Sequence, residues 1–246
     1  MKSFIYLLMA SVVLVSCKQK KEESTIEEKA VETTEETVVK EEWIALFDGT
    51  SLEHWRGYLT EDMHAEWTIE DGAMAFTPGE EDGKNIITKE KFTNFILSLE
   101  WKISEGGNSG IFWSVFEDEA FKEAYQTGPE IQVLDNARHP DAKANPKYHQ
   151  AGALYDMVEP AHDVCKPAGE WNECIIKIDH NSNVGEVTLN GTVIAEFDVH
   201  GENWDAMVAN SKFKDWKGFG KYHTGHIGLQ DHSDKVWYRN IKIKKL

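Results

Sequence analysis

The sequence predicts an all-β fold, a two-sheet sandwich or jelly roll with short peripheral helices. Three observations lead there: apolar and polar residues alternate with a period of two, turn signals separate short apolar runs, and helical spacing is confined to two short stretches. Trp43–Phe47, Glu66–Ile69 and Ala73–Phe76 read as opening strands. From Phe92 to Ile103 the alternation is clearest, with Phe95, Leu97, Leu99, Trp101 and Ile103 on one row and Ser98, Glu100 and Lys102 on the other. Ile111–Val115, Glu130–Leu134, Trp171–Ile178 and Gly225–Gln230 follow as further strands. Glu186–Leu189 and Thr192–Ala195 flank Asn190-Gly191, the preferred two-residue hairpin turn because both residues tolerate positive φ. In the last strand Trp237, Arg239, Ile241 and Ile243 form one row and Val236, Tyr238, Asn240 and Lys242 the other. Helices are expected at Glu117–Tyr125 and Trp204–Lys214. No internal repeat is visible.

Three parts are expected along the chain. Residues 1–16 carry an early lysine and an apolar run from Phe4 to Val15, the plan of a secretory signal and too short for a spanning helix of about 20 residues. The run ends Leu14-Val15-Ser16-Cys17, which resembles a lipobox, so Cys17 is the expected lipidation site and the membrane is met through a lipid anchor alone. Lys18 to Glu23 resembles the surface-export signal of Bacteroidetes lipoproteins, which places the protein in the cell envelope, periplasmic or facing outward. Up to residue 42 the chain is nearly all Glu, Thr, Val and Lys, a tether with too little apolar surface to offset its chain entropy. Residues 43–246 form the domain.

A net charge of −17 excludes a nucleic-acid partner, which needs a basic face. Nine Trp, seven Tyr and eleven Phe serve either a sandwich core or sugar-stacking platforms. Outside the cytoplasm Cys165 and Cys174 are open to a disulfide or to two separate thiols. The histidines show no metal-binding spacing, and there is no phosphate loop or nucleophile elbow, so no organic cofactor is expected.

Three segments place polar side chains where a strand buries apolar ones. Glycines crowd Asn108-Ser109-Gly110-Ile111-Phe112-Trp113, a sign of a bulge or a close backbone approach. In Glu130-Ile131-Gln132-Val133-Leu134-Asp135, Glu130 and Gln132 project together opposite Ile131 and Val133. The same parity joins Gln230 and His232 opposite Ile227 and Leu229. Each pattern also describes an ordinary solvated face. As a set they outline a concave polar site for a carbohydrate or small molecule.

These segments, with Leu46-Phe47-Asp48-Gly49 through Trp55, Trp67 with Asp71-Gly72, Gly152-Ala153-Leu154-Tyr155, Trp171-Asn172-Glu173, and Gly225 to Asp231 followed by Val236 to Ile241, resemble the 3-keto-disaccharide hydrolase family across essentially the whole domain. The resemblance implies a concanavalin A-like jelly roll that acts on glycosides whose C3 hydroxyl a partner 3-dehydrogenase has already oxidised. The C3 ketone acidifies the C2 proton and makes the C1 oxygen a leaving group; water addition to the enone completes a net hydrolysis. That chemistry needs a base, an acid and a positive group at the enolate. Glu130 and His232 are the expected base and acid, in either order, or ligands of a divalent metal. Asn108, Gln132 and Gln230 would hold hydroxyls, and Asp135 would orient a neighbour or bind sugar. Trp113 is a stacking candidate, although its parity with Ile111 favours the core. Many members carry Arg where this chain has Ser114, so one substrate-orienting guanidinium is missing. A non-catalytic carbohydrate-binding lipoprotein is the alternative.

Overall fold

The computed structural model describes residues 42–80, 83–145 and 147–246. The signal, Cys17 and the tether lie outside the described residues. Thirteen strands follow in chain order: β1 Ile44–Phe47, β2 Trp55–Gly57, β3 Trp67–Glu70, β4 Ala73–Phe76, β5 Ile86–Phe92, β6 Phe95–Ile103, β7 Asn108–Val115, β8 Glu130–Leu134, β9 Asn172–Asp179, β10 Val184–Leu189, β11 Thr192–Phe197, β12 Gly225–Leu229 and β13 Val236–Lys245. Helix α1 is Pro140–Ala144 and α2 is Gly201–Ala209. The strands build two antiparallel sheets, so the all-β sandwich is the observed architecture. One runs β11-β10-β9-β6-β13-β4-β3, with β1 joining β4 along the same edge of β13; the other runs β2-β5-β12-β7-β8.

Burial of alternate rows between the sheets drives this assembly. Phe95, Leu97, Leu99, Trp101 and Ile103 of β6 pack in one cluster with Ile111 and Trp113 of β7, Ile131 and Val133 of β8, and Ile227 and Leu229 of β12. Asn190 (φ 49°) and Gly191 (φ 79°) make the hairpin turn between β10 and β11.

Four expectations need correction. β13 does not keep a single parity: Val236 and Tyr238 are buried, then Ile241 and Ile243. Asn240 sits at φ 53° and the pairing with β6 slips between Arg239 and Lys242, so a bulge exchanges the faces. Glu117–Tyr125 is not a helix, apart from a 3-10 turn at Ala124–Gln126. Its polar side chains bond elsewhere: Glu117 accepts from Arg56 and from the Leu59 backbone, and Asp118 from the Ala120 backbone, which competes with helical pairing. The second helix begins three residues early and ends at Ala209, capped by Asn210, whose side chain donates back to Ala206 O. β2, β5 and α1 were not anticipated; the Lys89-Glu90-Lys91 stretch hides the strand period of β5. Cys165 and Cys174 are separate free thiols, each pushed up to about 12 by burial.

Candidate active site

The residues of β8 that point away from the sandwich core are buried rather than solvated, because two further segments pack around them. Along the outer edge of β8, Gly152 N donates to Gln132 O (2.8 Å), Gln132 N to Ala153 O (3.1 Å) and Tyr155 N to Glu130 O (3.0 Å). This backbone pairing lays Gly152–Tyr155 beside the strand. The segment after α2 is tied to it in turn, since Lys212 N donates to Asp156 Oδ2 at 2.7 Å. Between these segments and the sheet lies a groove of about 340 Å³, lined by Asn108, Tyr125, Glu130, Gln132, Tyr155, Lys212, Phe213, Trp216, Gln230 and His232.

Glu130 is 8% exposed, and burial pushes its carboxyl up to about 8, with Lys212 the principal positive charge acting against that rise. Space for the carboxyl comes from Gly110 on the neighbouring strand, where a Cβ would stand 2.1 Å from Glu130 Oε1. The glycine-rich start of β7 is thus a close approach to Glu130. With its amide nitrogen turned inward, Gln132 donates to Ser109 O (3.0 Å) and to Glu130 Oε1 (3.2 Å). Gln230 is nine-tenths buried, and its Oε1 has no protein donor.

A hydrogen-bonded chain stands behind two of the lining residues. Tyr155 Oη donates to Asp141 Oδ2 at 2.8 Å, which with burial keeps the phenol from ionising. His149 lies between Asp141 Oδ1 (Nδ1, 2.7 Å) and Asp156 Oδ1 (Nε2, 3.0 Å), and its ring stacks on Tyr155 with centroids 4.3 Å apart. Tyr155, His149 and the Lys212 backbone are therefore fixed as one unit. Lys212 Nζ lies 4.1 Å from the centre of the Tyr155 ring, inside the groove.

Of the residues singled out from sequence, Glu130, His232, Asn108, Gln132 and Gln230 are brought together in this groove. Asp135 is not in its lining. It accepts from Gly106 N (2.8 Å), Ala137 N (3.1 Å) and Arg138 Nη1 (3.2 Å), and so shapes the turn after β8. Trp113 does not reach the groove either: it is 2% exposed in the core, edge-on to Trp204 at 5.7 Å. Ser114 lies outside the lining too, at φ 51° with its hydroxyl donating to His223 O. Tyr125, Tyr155, Lys212, Phe213 and Trp216 escaped the sequence reading as site residues. Only Tyr155 carried a signal, as the last residue of the Gly152–Tyr155 motif.

For a divalent ion the groove supplies one carboxylate, Glu130, and one imidazole, His232. Among the described residues no group of three or more His, Cys, Asp or Glu is gathered to hold a metal. The desolvated Glu130 carboxyl suits a cation, but an ion here would complete its shell from bound substrate or water.

Comparison with known proteins agrees with this architecture. A Bacteroides thetaiotaomicron protein named 3-keto-disaccharide hydrolase is 35% identical over the full length of both chains. A crystal structure from Parabacteroides distasonis ATCC 8503, of a protein with a proposed glycosyl hydrolase assignment, superposes with a TM-score of 0.75 at 28% identity, covering 83% of this chain and 94% of that one. A Bacillus subtilis protein described as having a galectin-like fold superposes with a TM-score of 0.55 at 13% identity, covering 83% of this chain and 94% of the other, a likeness of fold alone. Residues 42–244 match the 3-keto-alpha-glucoside-1,2-lyase-like domain, a span that holds both sheets and every lining residue of the groove, and the chain belongs to that family.

Proposed function

We propose that this domain cleaves 3-keto-glycosides by elimination and hydration, a net hydrolysis within extracytoplasmic carbohydrate breakdown. The observation that carries the proposal is the buried Glu130 carboxyl in an aromatic-lined groove, with Lys212 and His232 in the same lining. Family membership and the name of the Bacteroides relative support the substrate class.

In this reading the sugar ring bearing the ketone lies against Tyr155, Phe213 and Trp216, and Asn108, Gln132 and Gln230 hold its hydroxyls. Glu130, as carboxylate, takes the C2 proton. A carboxylate whose conjugate acid has been raised to about 8 is a far stronger base than one in water. The C2–H electron pair forms the enolate, whose negative C3 oxygen is stabilised by the Lys212 ammonium. Collapse of the enolate expels the C1 oxygen, to which His232 gives a proton. Water then adds at C1 of the enone, losing a proton to His232, and Glu130 returns a proton to C2, leaving the 3-keto sugar and a free alcohol. If Glu130 and His232 instead held a divalent ion, that ion would supply the charge stabilisation at the C3 oxygen, and the two residues would be its ligands rather than base and acid. Because the substrate must already carry a C3 ketone, a dehydrogenase acts upstream. A lipid anchor at Cys17 would hold the enzyme in the envelope.

The test is incubation with a 3-keto-glucoside and with its unoxidised parent, with and without a chelator, following alcohol release and enone absorbance. Release from the keto substrate alone is the expected result. Equal release from both, or from neither, would remove the elimination reading. A chelator effect reversed by a divalent metal would assign the ion; without one, Lys212 alone serves the enolate.

A further inference from the structure

Three histidines far apart in the sequence stack where the arm that carries the groove wall leaves the sandwich. His180 follows β9, His200 precedes α2 and His223 precedes β12. The His180 and His223 ring centres lie 4.2 Å apart with planes 10° from parallel, and the His200 ring stands 6.0 Å from the first and 5.5 Å from the second. Parallel rings cannot aim their in-plane lone pairs at one point, and among the described residues no metal-holding group is gathered. Both ring nitrogens of His180 are buried, and neither makes a hydrogen bond. Few charged groups face the stack: Asp179 beside His180, and Asp205, Lys214 and Lys221 around a cavity of about 470 Å³ that His200 and His223 also line. His200 Nε2 donates to His180 O at 3.1 Å, and Asn183 Oδ1 accepts from the Val199 and His200 backbones, both at 3.0 Å. From this root the arm runs through α2 to Gly220, and its Lys212, Phe213 and Trp216 wall the groove. Phe213 stacks on Phe219 with centres 3.8 Å apart, and Trp204 Nε1 donates to Gly220 O at 3.2 Å, so the arm is closed on itself.

We propose that the three imidazoles form an acid-sensitive latch: neutral, they stack and hold the root of the arm, and a proton entering the stack releases it and loosens the groove wall. Neutral rings stack at no electrostatic cost. An imidazolium at His180 would be stripped of water, lack an acceptor and stand against two further titratable rings. Burial, then His223 and His200, push His180 down to about 4, against the weaker pull of Asp179 and the nearby His223 backbone. Once the arm opens, the ring returns toward its ordinary 6.5 and takes up the proton. The open arm therefore binds more protons than the closed one between pH 6.5 and 4, and the closed arm loses stability as pH falls through that window. The latch is independent of which substrate the groove takes.

The experiment is amide hydrogen exchange of the full chain at pH 7 and pH 5, for wild type, His180→Phe and His223→Phe. Protection is corrected for the intrinsic pH dependence of exchange, and the amides of β6 report global opening in the same samples. Phenylalanine keeps a flat ring in the stack and takes no proton. In wild type, protection across residues 200–219 should fall about twentyfold from pH 7 to pH 5, with no such fall in β6. His180→Phe should remove that fall. His223→Phe, made on an exposed ring that the fold does not need, should shrink it by taking one neighbour from His180. Unchanged protection of the arm in wild type, an equal fall in the arm and β6, or the full twentyfold fall in every variant that folds would overturn the latch.

Discussion

On the large sheet, the residues of β6 that point away from the core are Ile96, Ser98, Glu100 and Lys102, and the last two reach solvent in charged pairs and ring contacts. Arg239 Nη2 donates to Glu100 Oε2 at 2.6 Å, and Lys102 Nζ lies 4.3 Å from the centre of the Trp237 ring. Partial burial opposes ionisation of Glu100, yet the Arg239 and Asn240 hydrogen bonds outweigh it and hold the carboxyl below the usual range. On the five-stranded sheet the outward residues of β8 obey the same alternation, but Gly152–Tyr155 pairs beside the strand and Tyr155, Lys212, Phe213 and Trp216 close round the same groove. Glu130 consequently loses its water, gains no paired guanidinium, and its carboxyl rises to about 8. One strand pattern produces a stabilised anion where the face is open and a carboxyl that holds its proton where the face is enclosed. The cover is what separates them.

The largest effect expected from breaking this contrast is at Glu130. Glu130→Gln should lower kcat for a 3-keto-glycoside by about 10³-fold, within the range for removal of a general base, as read by alcohol release. Stability should move in the opposite direction. A carboxyl raised from 4.5 to about 8 keeps its proton in the folded state where the unfolded chain releases it, so native stability falls as pH rises through that window. Glu130→Gln abolishes that loss. Its melting temperature should match wild type near pH 4 and exceed it increasingly up to pH 8.

Next in size is Gly110→Ala, whose Cβ must displace the Glu130 carboxyl or the β7 backbone. Turnover should fall on the order of 10²-fold. The pH profile gives a third measure: with Glu130 as base, kcat/KM should climb with pH and level off near 8 in wild type. In Glu130→Gln that limb should vanish. A smaller effect is expected from Tyr155→Phe, which keeps the ring but removes the bond to Asp141 Oδ2. It should reduce kcat/KM less than tenfold. The smallest belongs to the open sheet, where Glu100→Gln should leave turnover unchanged and shift stability by less than about 1 kcal/mol in denaturant unfolding.

How much of this was legible in the sequence follows from the same contrast. Alternation identified β6 and the core row of the sandwich, and it paired Glu130 with Gln132, because period two is a property of the strand itself. Parity alone gives the side of the sheet and leaves open whether water or protein lies there, so Glu-x-Gln read equally well as a solvated face. The cover is built from loops without a period. Lys212 and Phe213 were read as part of a helix that ends before Trp216, and the placement of the segment depends on a bond from Lys212 N to an aspartate fifty-six residues earlier. The exchange of faces in β13 was hidden for a related reason: Asn240 adopts positive φ in the middle of a strand, and a single bulged residue reverses every later side chain.

The measurement closest to the central claim is single-turnover alcohol release from a 3-keto-glucoside deuterated at C2, compared with the protiated substrate. Single turnover keeps product release from masking the chemical step. If Glu130 breaks the C2–H bond before the C1 oxygen departs, the deuterated substrate should react several-fold more slowly in wild type. Equal rates for the two substrates, with no deuterium lost from recovered substrate, would mean that the glycosidic bond breaks without proton abstraction at C2, and would contradict the account of an enclosed, strongly basic carboxylate as the catalytic group.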